Sequence, residues 1–141
     1  MIIDAIESAF NRAKKQGWEK TYWLFDLHDT VISSNYGQGE VEEFFPFAVE
    51  TLQLLSSRKD ICLILFTSSH PEKINDYLKK FKGLGIDFVY VNENPEASNS
   101  HYANFDKKLY FNVLFDDKAG FHPMKDWEPV YRYLTELYNQ A

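Results

Sequence analysis

Residues 22–32 read YWLFDLHDTVI. Tyr22 to Phe25 form a short, nearly continuous apolar and aromatic run, the pattern of a central parallel strand covered on both faces. The run stops at Asp26, and His28, Asp29 and Thr30 follow at once. Three ionisable groups within four positions are costly to hold together unless a cation, a ligand or water absorbs their charge. The carboxyl end of this strand is therefore the first place to look for function.

Outward from this stretch, apolar runs alternate with helical periodicity. Upstream, Ile2, Ile3, Ile6, Ala9, Phe10 and Ala13 recur at three- and four-residue spacing and predict a helix over 2–16 that stops near Gly17. Downstream, SSNYGQGEVEE at 33–43 mixes turn residues with glutamates and reads as an exposed loop or flap. Pro46 opens a helix to about Ser57, carrying Ala48, Val49, Leu52, Leu54 and Leu55. ICLILFT at 61–67 is the second predicted strand. A helix follows from about Pro71, with Ser69 or His70 as its cap, Ile74, Tyr77, Leu78 and Phe81 on its apolar side, and Gly83 and Gly85 at its end. Phe88 to Val91 is the third strand, and NENPEASNSHYANF at 92–105 is loop, with NENP a turn ahead of Pro95. Tyr110 to Phe115 is the fourth strand and ends in Asp116 and Asp117; the last helix begins near Asp126 and carries Trp127, Val130, Tyr131, Leu134 and Leu137.

Strands alternating with helices predict an α/β layer fold with a mainly parallel sheet. Crossover handedness then gathers the strand carboxyl ends at one edge, where open α/β sheets bind their ligands. Three of the predicted strands end there in polar clusters: Asp26 to Thr30, Thr67 to His70, and Asp116 to Lys118. Asp26, Asp116 and Asp117 would bring up to three carboxylates to one site, and a hard divalent cation such as Mg²⁺ relieves that crowding with an all-oxygen donor set. Thr67 and Ser68, between a strand end and a helix start, can offer hydroxyl and backbone donors to a phosphate. Lys107, Lys108 and Lys118 lie close in sequence to the acidic pair.

These motifs, in this order, resemble the haloacid dehalogenase-like (HAD) hydrolase superfamily, most of whose members are Mg²⁺-dependent phosphatases with an aspartate nucleophile. Asp-x-Asp-x-Thr of that family corresponds to FDLHDTV, its strand ending in Thr or Ser to LILFTSS, and its strand ending in paired acids to VLFDD, with a lysine between the last two. The resemblance implies a three-layer, Rossmann-like HAD-like domain over 1–141 without a separate cap domain. It implies that Asp26 is nucleophile and metal ligand, that Thr67 with Ser68 holds the phosphoryl group, and that Asp116 and Asp117 hold Mg²⁺ directly or through water. Lys107 or Lys108 would neutralise the nucleophile and the transferring oxygens; the resemblance leaves both in place, with Lys118 a weaker alternative.

His28 departs from the family pattern, which has a second aspartate there to protonate the leaving oxygen and then activate water. Histidine, with an unperturbed pKa of about 6.5, is able to donate and accept a proton near neutrality. The family's metal contact from this position is a main-chain carbonyl, which survives the change of side chain. Asp29 stands where the family commonly has glycine. The expected activity is that of a phosphatase or phosphotransferase acting on a phosphorylated and bulky substrate, since a capless site is open. The alternative is a catalytically impaired HAD-like module that binds metal and phosphate in a regulatory role, favoured by His28 and Asp29. A third reading, the metal-independent dehalogenase branch, sits poorly with the retained Asp116 and Asp117.

Composition narrows the remaining classes. A chain of 141 residues, 45% apolar, suits one compact domain. With 15 basic against 21 acidic side chains and a net charge of −6, broad binding to nucleic acid or anionic lipid is not expected. Cys62 is the single cysteine and sits in an apolar run, so it reads as a small buried hydrophobe, and its solitude fits a reducing compartment. No run approaches the roughly 20 apolar residues of a membrane span. The first residues do not read as a secretory leader, so a cytoplasmic protein with no membrane partner is expected. Neither GxxxxGK[ST] nor GxGxxG occurs, which argues against a kinase-type nucleotide loop. Lys79, Lys80 and Lys82 read as a solvated helix face, and His70, His101 and His122 as capping or exposed residues.

Overall fold

The computed structural model describes residues 2–33, 43–97 and 109–139. Its elements run α1 (Ile2–Gln16), β1 (Thr21–Asp26), α2 (Ala48–Ser56), β2 (Ile61–Phe66), α3 (Pro71–Gly83), β3 (Tyr90–Val91), β4 (Val113–Phe115), a 3₁₀ turn (Asp117–Ala119) and α4 (Trp127–Asn139). The strands form a parallel sheet in the order β3-β2-β1-β4. Flanked by helices on one face and, among the described residues, by the β3–β4 connection on the other, it is the expected Rossmann-like, three-layer α/β arrangement.

Side-chain alternation assigns the two faces of the sheet. Trp23, Phe25, Leu63, Leu65, Val113 and Phe115 point into the main core, where they meet Ile6 and Ala9 of α1, Leu52 and Leu55 of α2, Phe81 of α3, and Trp127, Val130 and Leu134 of α4. An aromatic stack runs through it: Phe115 lies 4.6 Å from Phe25, 5.3 Å from Trp127 and 6.0 Å from Trp23, ring centre to ring centre. The opposite face carries Leu24, Cys62 and Ile64, covered by Leu109 and Phe111 of the β3–β4 connection together with Tyr22, Tyr90 and Leu114. Among the described residues, this second cover contains no helix.

The connection is tied down by Glu96. Its carboxylate accepts hydrogen bonds from Lys20 Nζ (2.9 Å), Tyr22 OH (3.0 Å) and Tyr90 OH (2.6 Å). Burial, then donation to Glu96, pushes the Tyr22 phenol up to about 12; donation to Glu96 comes first for Tyr90, also pushed up to about 12. The same bonds, that from Tyr90 foremost, lower the Glu96 pKa.

Three boundaries differ by two residues or more from those the sequence suggests. α2 starts at Ala48 instead of Pro46, because Pro46 occupies a tight turn in which Ala48 N–H reaches Phe45 C=O (3.1 Å) and Phe47 adopts φ 70, ψ −2. Positive φ at the third turn position after a proline is type II geometry. β4 begins at Val113 instead of Tyr110, since the Asn112 side chain takes over the pairing: Tyr22 N–H donates to Asn112 Oδ1 (2.7 Å) while Asn112 N–H donates to Tyr22 C=O (2.7 Å). β3 shrinks to two residues, with Val89 only touching β2 through a bond to Leu63 C=O (2.9 Å). α1 ends as expected, with Gly17 at φ 72 and Trp18 N–H returning to Ala13 C=O (2.9 Å). No helix among the described residues is long and apolar enough to cross a membrane.

Candidate functional site

Parallel register brings the strand ends together: Asp26 lies beside Phe66, and Phe25 beside Phe115. The chain then folds back tightly after β1. Leu27 C=O accepts from Val31 N–H (2.9 Å) and Ile32 N–H (3.0 Å), and Asp29 N–H donates to Ile32 C=O (2.6 Å). This return buries Leu27, Thr30, Val31 and Ile32, and it requires φ 64 at Asp29. Left-handed backbone is free for glycine and tolerated by aspartate better than by most residues. Asp29 therefore places a carboxylate on a backbone conformation that favours glycine.

Thr30, fully buried, links the acidic residues. Its hydroxyl donates to Asp26 Oδ2 (3.0 Å) and Asp117 Oδ1 (3.2 Å), sharing one proton, and accepts from Asp117 N–H (2.9 Å). Its carbonyl receives Trp127 Nε1–H at 2.7 Å, which fastens the site to the aromatic stack. Asp116 caps the 3₁₀ turn by accepting from Lys118 N–H (2.9 Å). One carboxylate oxygen each of Asp26, Asp116 and Asp117 then lies within 4.8 Å of the others.

Crowding has an electrostatic consequence. Burial first, then the hydrogen bond with Asp117 and the charge of Asp116, pushes the Asp26 carboxyl up from its usual 3.8 to about 7. An all-oxygen set of three carboxylates at this spacing fits a hard divalent cation, and such a cation would favour the ionised form of Asp26 again.

A cavity of about 680 Å³ opens over this cluster. Asp26, His28, Asp29, Asp116, Asp117 and Lys118 line one side, and Thr67, Ser68, Ser69 and Asn92 the other, with Phe66 between them, 41% exposed. Of the residues expected from the sequence to form a site, Asp26, His28, Thr67, Ser68, Asp116 and Asp117 thus share one cavity. Lys107 and Lys108, the flap over 34–42 and His101 fall outside the described residues; Lys118 is the cation described at the cavity wall. The His28 imidazole is not part of the carboxylate cluster: its Nε2 is 3.1 Å from Tyr77 OH on α3, the two rings meeting edge to face. His70 stands at the start of α3 without a side-chain capping bond.

The Thr67 segment is held from both directions. Thr67 Oγ1 shares a hydrogen bond with Ser69 Oγ (2.9 Å) and accepts from Ser69 N–H (3.2 Å), while its backbone pairs with the side chain of Asn92. Sequence reading did not single out Asn92 or the linking roles of Thr30 and Trp127. The threonine of the Asp-x-Asp-x-Thr pattern was a signal for Thr30; no spacing marks Asn92, which reads as an ordinary turn residue.

No family model and no curated protein matches the chain. It is similar to a solved structure described as that of the conserved protein coded by a locus from Bacteroides thetaiotaomicron, with 25% identity and a TM-score of 0.62, over 83% of this chain and 91% of that one. The two therefore share a fold over most of their lengths.

Proposed function

We propose that this protein is a HAD-like, Mg²⁺-dependent phosphatase or phosphotransferase acting through Asp26. The observation that carries the reading is the approach of Asp26, Asp116 and Asp117 to within 4.8 Å, across one cavity from Thr67 and Ser68. Asp26, Asp116 and Asp117 would hold Mg²⁺, which when bound supplies positive charge against the three carboxylates and the transferring phosphoryl group.

In this reading Asp26 attacks phosphorus, the bond from phosphorus to the leaving oxygen breaks, and an aspartyl phosphate forms. His28, oriented by Tyr77, gives the leaving oxygen a proton. It then takes one from the water that attacks phosphorus, which frees phosphate and restores the Asp26 carboxylate. Thr67 and Ser68, on the wall of the same cavity, would hold the phosphoryl oxygens through hydroxyl and backbone donors. A cavity far larger than a phosphate group favours a substantial organic or macromolecular leaving group.

The reading is tested by hydrolysis of an aryl phosphate with and without Mg²⁺ over a pH series, beside Asp26→Asn. Turnover that requires Mg²⁺ and vanishes in Asp26→Asn is the expected result; turnover persisting in that variant sinks the mechanism. The tie from His28 to Tyr77 favours a second reading, a phosphate- and metal-binding module without efficient turnover. Binding of Mg²⁺ and inorganic phosphate without hydrolysis of any phosphomonoester would select it.

A further inference from the structure

We infer that Asn92 is a positioning residue for phosphoryl binding, acting by clamping the Thr67 peptide at the end of β2; this rests on the phosphoryl-transfer reading of the site. Asn92 follows β3 directly, with φ 57, and its own N–H donates to Leu65 C=O (2.8 Å). Its side chain then turns across to Thr67, where Oδ1 accepts from Thr67 N–H (2.8 Å) and Nδ2 donates to Thr67 C=O (2.7 Å). The carboxamide thus takes the place of one more peptide in the ladder between β2 and β3, at the point where the backbone has turned away. An amide in this geometry satisfies a donor and an acceptor at once, and the reciprocal pattern fixes which end is oxygen.

The consequence for ligand binding follows from counting donors. Thr67 N–H is spent on Asn92, and Thr67 Oγ1 is engaged with Ser69, so the peptide from Thr67 to Ser68 is locked in one orientation before any ligand arrives. The donors this orientation leaves to a phosphate are those of Ser68 and the one hydroxyl proton that the Thr67–Ser69 pair does not share, on a segment that lines the same cavity as the three carboxylates. Preorganised donors are effective because their orientation is not lost to rotation on binding. Aspartate cannot replace Asn92, since it lacks the Nδ2 donor and would set a carboxylate against Thr67 C=O. Glycine keeps the left-handed backbone and loses both bonds, which separates the clamp from the turn.

The test uses the full chain and inorganic phosphate with Mg²⁺ present. Phosphate and Mg²⁺ affinities are measured by calorimetry, and Thr67 amide exchange by NMR, in wild type, Asn92→Gly and Asn92→Asp. The expected result is Thr67 exchange faster by about ten-fold or more in Asn92→Gly, with phosphate affinity weaker by about ten-fold to a hundred-fold. Mg²⁺ affinity stays within about two-fold in both variants, and Asn92→Asp also weakens phosphate binding. Unchanged Thr67 exchange overturns the clamp. Faster exchange with unchanged phosphate affinity, or equal losses of Mg²⁺ and phosphate affinity, overturns the positioning role. Wild type that binds neither Mg²⁺ nor phosphate overturns the phosphoryl-transfer reading itself, a failure visible before any variant is made.

Discussion

Asp26 holds its proton in the folded chain at pH values where an ordinary aspartate has released it, because burial and two neighbouring carboxylates oppose its charge. The sign of the stability effect follows. At low pH the group is protonated in both states and contributes nothing. As pH rises from its usual 3.8 toward about 7, the unfolded chain ionises first, so folding loses stability across that window and the penalty levels off above it. With divalent cations chelated, Tm is expected to fall between these limits, and Asp26→Asn to flatten that fall and raise Tm at pH 8. A Tm series in chelator checks both. Asp29 offers a second residue-scale test, since its φ of 64 suits aspartate and asparagine better than a residue without a local polar group. Asp29→Ala is expected to destabilise by about 1 kcal/mol, and Asp29→Asn by less than about 0.5 kcal/mol, as measured by urea unfolding.

Between elements, the site depends on hydrogen bonds that leave the regular ladders. Thr30 joins the turn after β1 to the chain after β4, and through Trp127 to the start of α4. Thr30→Val keeps the shape but removes the hydroxyl that Asp26 and Asp117 share, leaving Asp117 N–H without its acceptor. The expected cost is about 1–3 kcal/mol in urea unfolding, together with weaker Mg²⁺ binding. Asn112 and Asn92 act in the same manner at the ends of β4 and β3, substituting side-chain amides for peptide partners. Apolar runs marked where β3 and β4 would lie, but they carry no information on where a ladder passes to a side chain. That is why β4 is shorter than its apolar run suggests; β3 ends at Val91 as expected and loses Phe88 and Val89 at its start.

For the whole molecule, the sheet's two faces are covered by different means. Helices pack against one, and the β3–β4 connection against the other, held there in part by Glu96. Cys62, 3% exposed on that second face, is a single built-in probe of the cover. Glu96→Ala is expected to speed Cys62 modification by an aromatic disulfide reagent by about ten-fold, through local opening without global unfolding. An unchanged rate would mean that apolar contacts from Leu109 and Phe111 hold the cover alone.

The order of strands and helices, the parallel sheet and the candidate residues Asp26, Thr67, Ser68, Asp116 and Asp117 were legible in the sequence by itself. Each depends on local information: apolar runs of strand length, three- and four-residue spacing, and polar clusters where a run stops. Tertiary structure alone decided the rest. It set His28 against Tyr77, put Thr30 between two carboxylates, drew Asn92 onto Thr67 and left one face of the sheet to an irregular connection. Those partners lie 25 or more positions apart, apart from Thr30 and Asp26. A side chain's choice among polar partners that distant depends on where the packed elements bring it, and no periodicity along the chain encodes that.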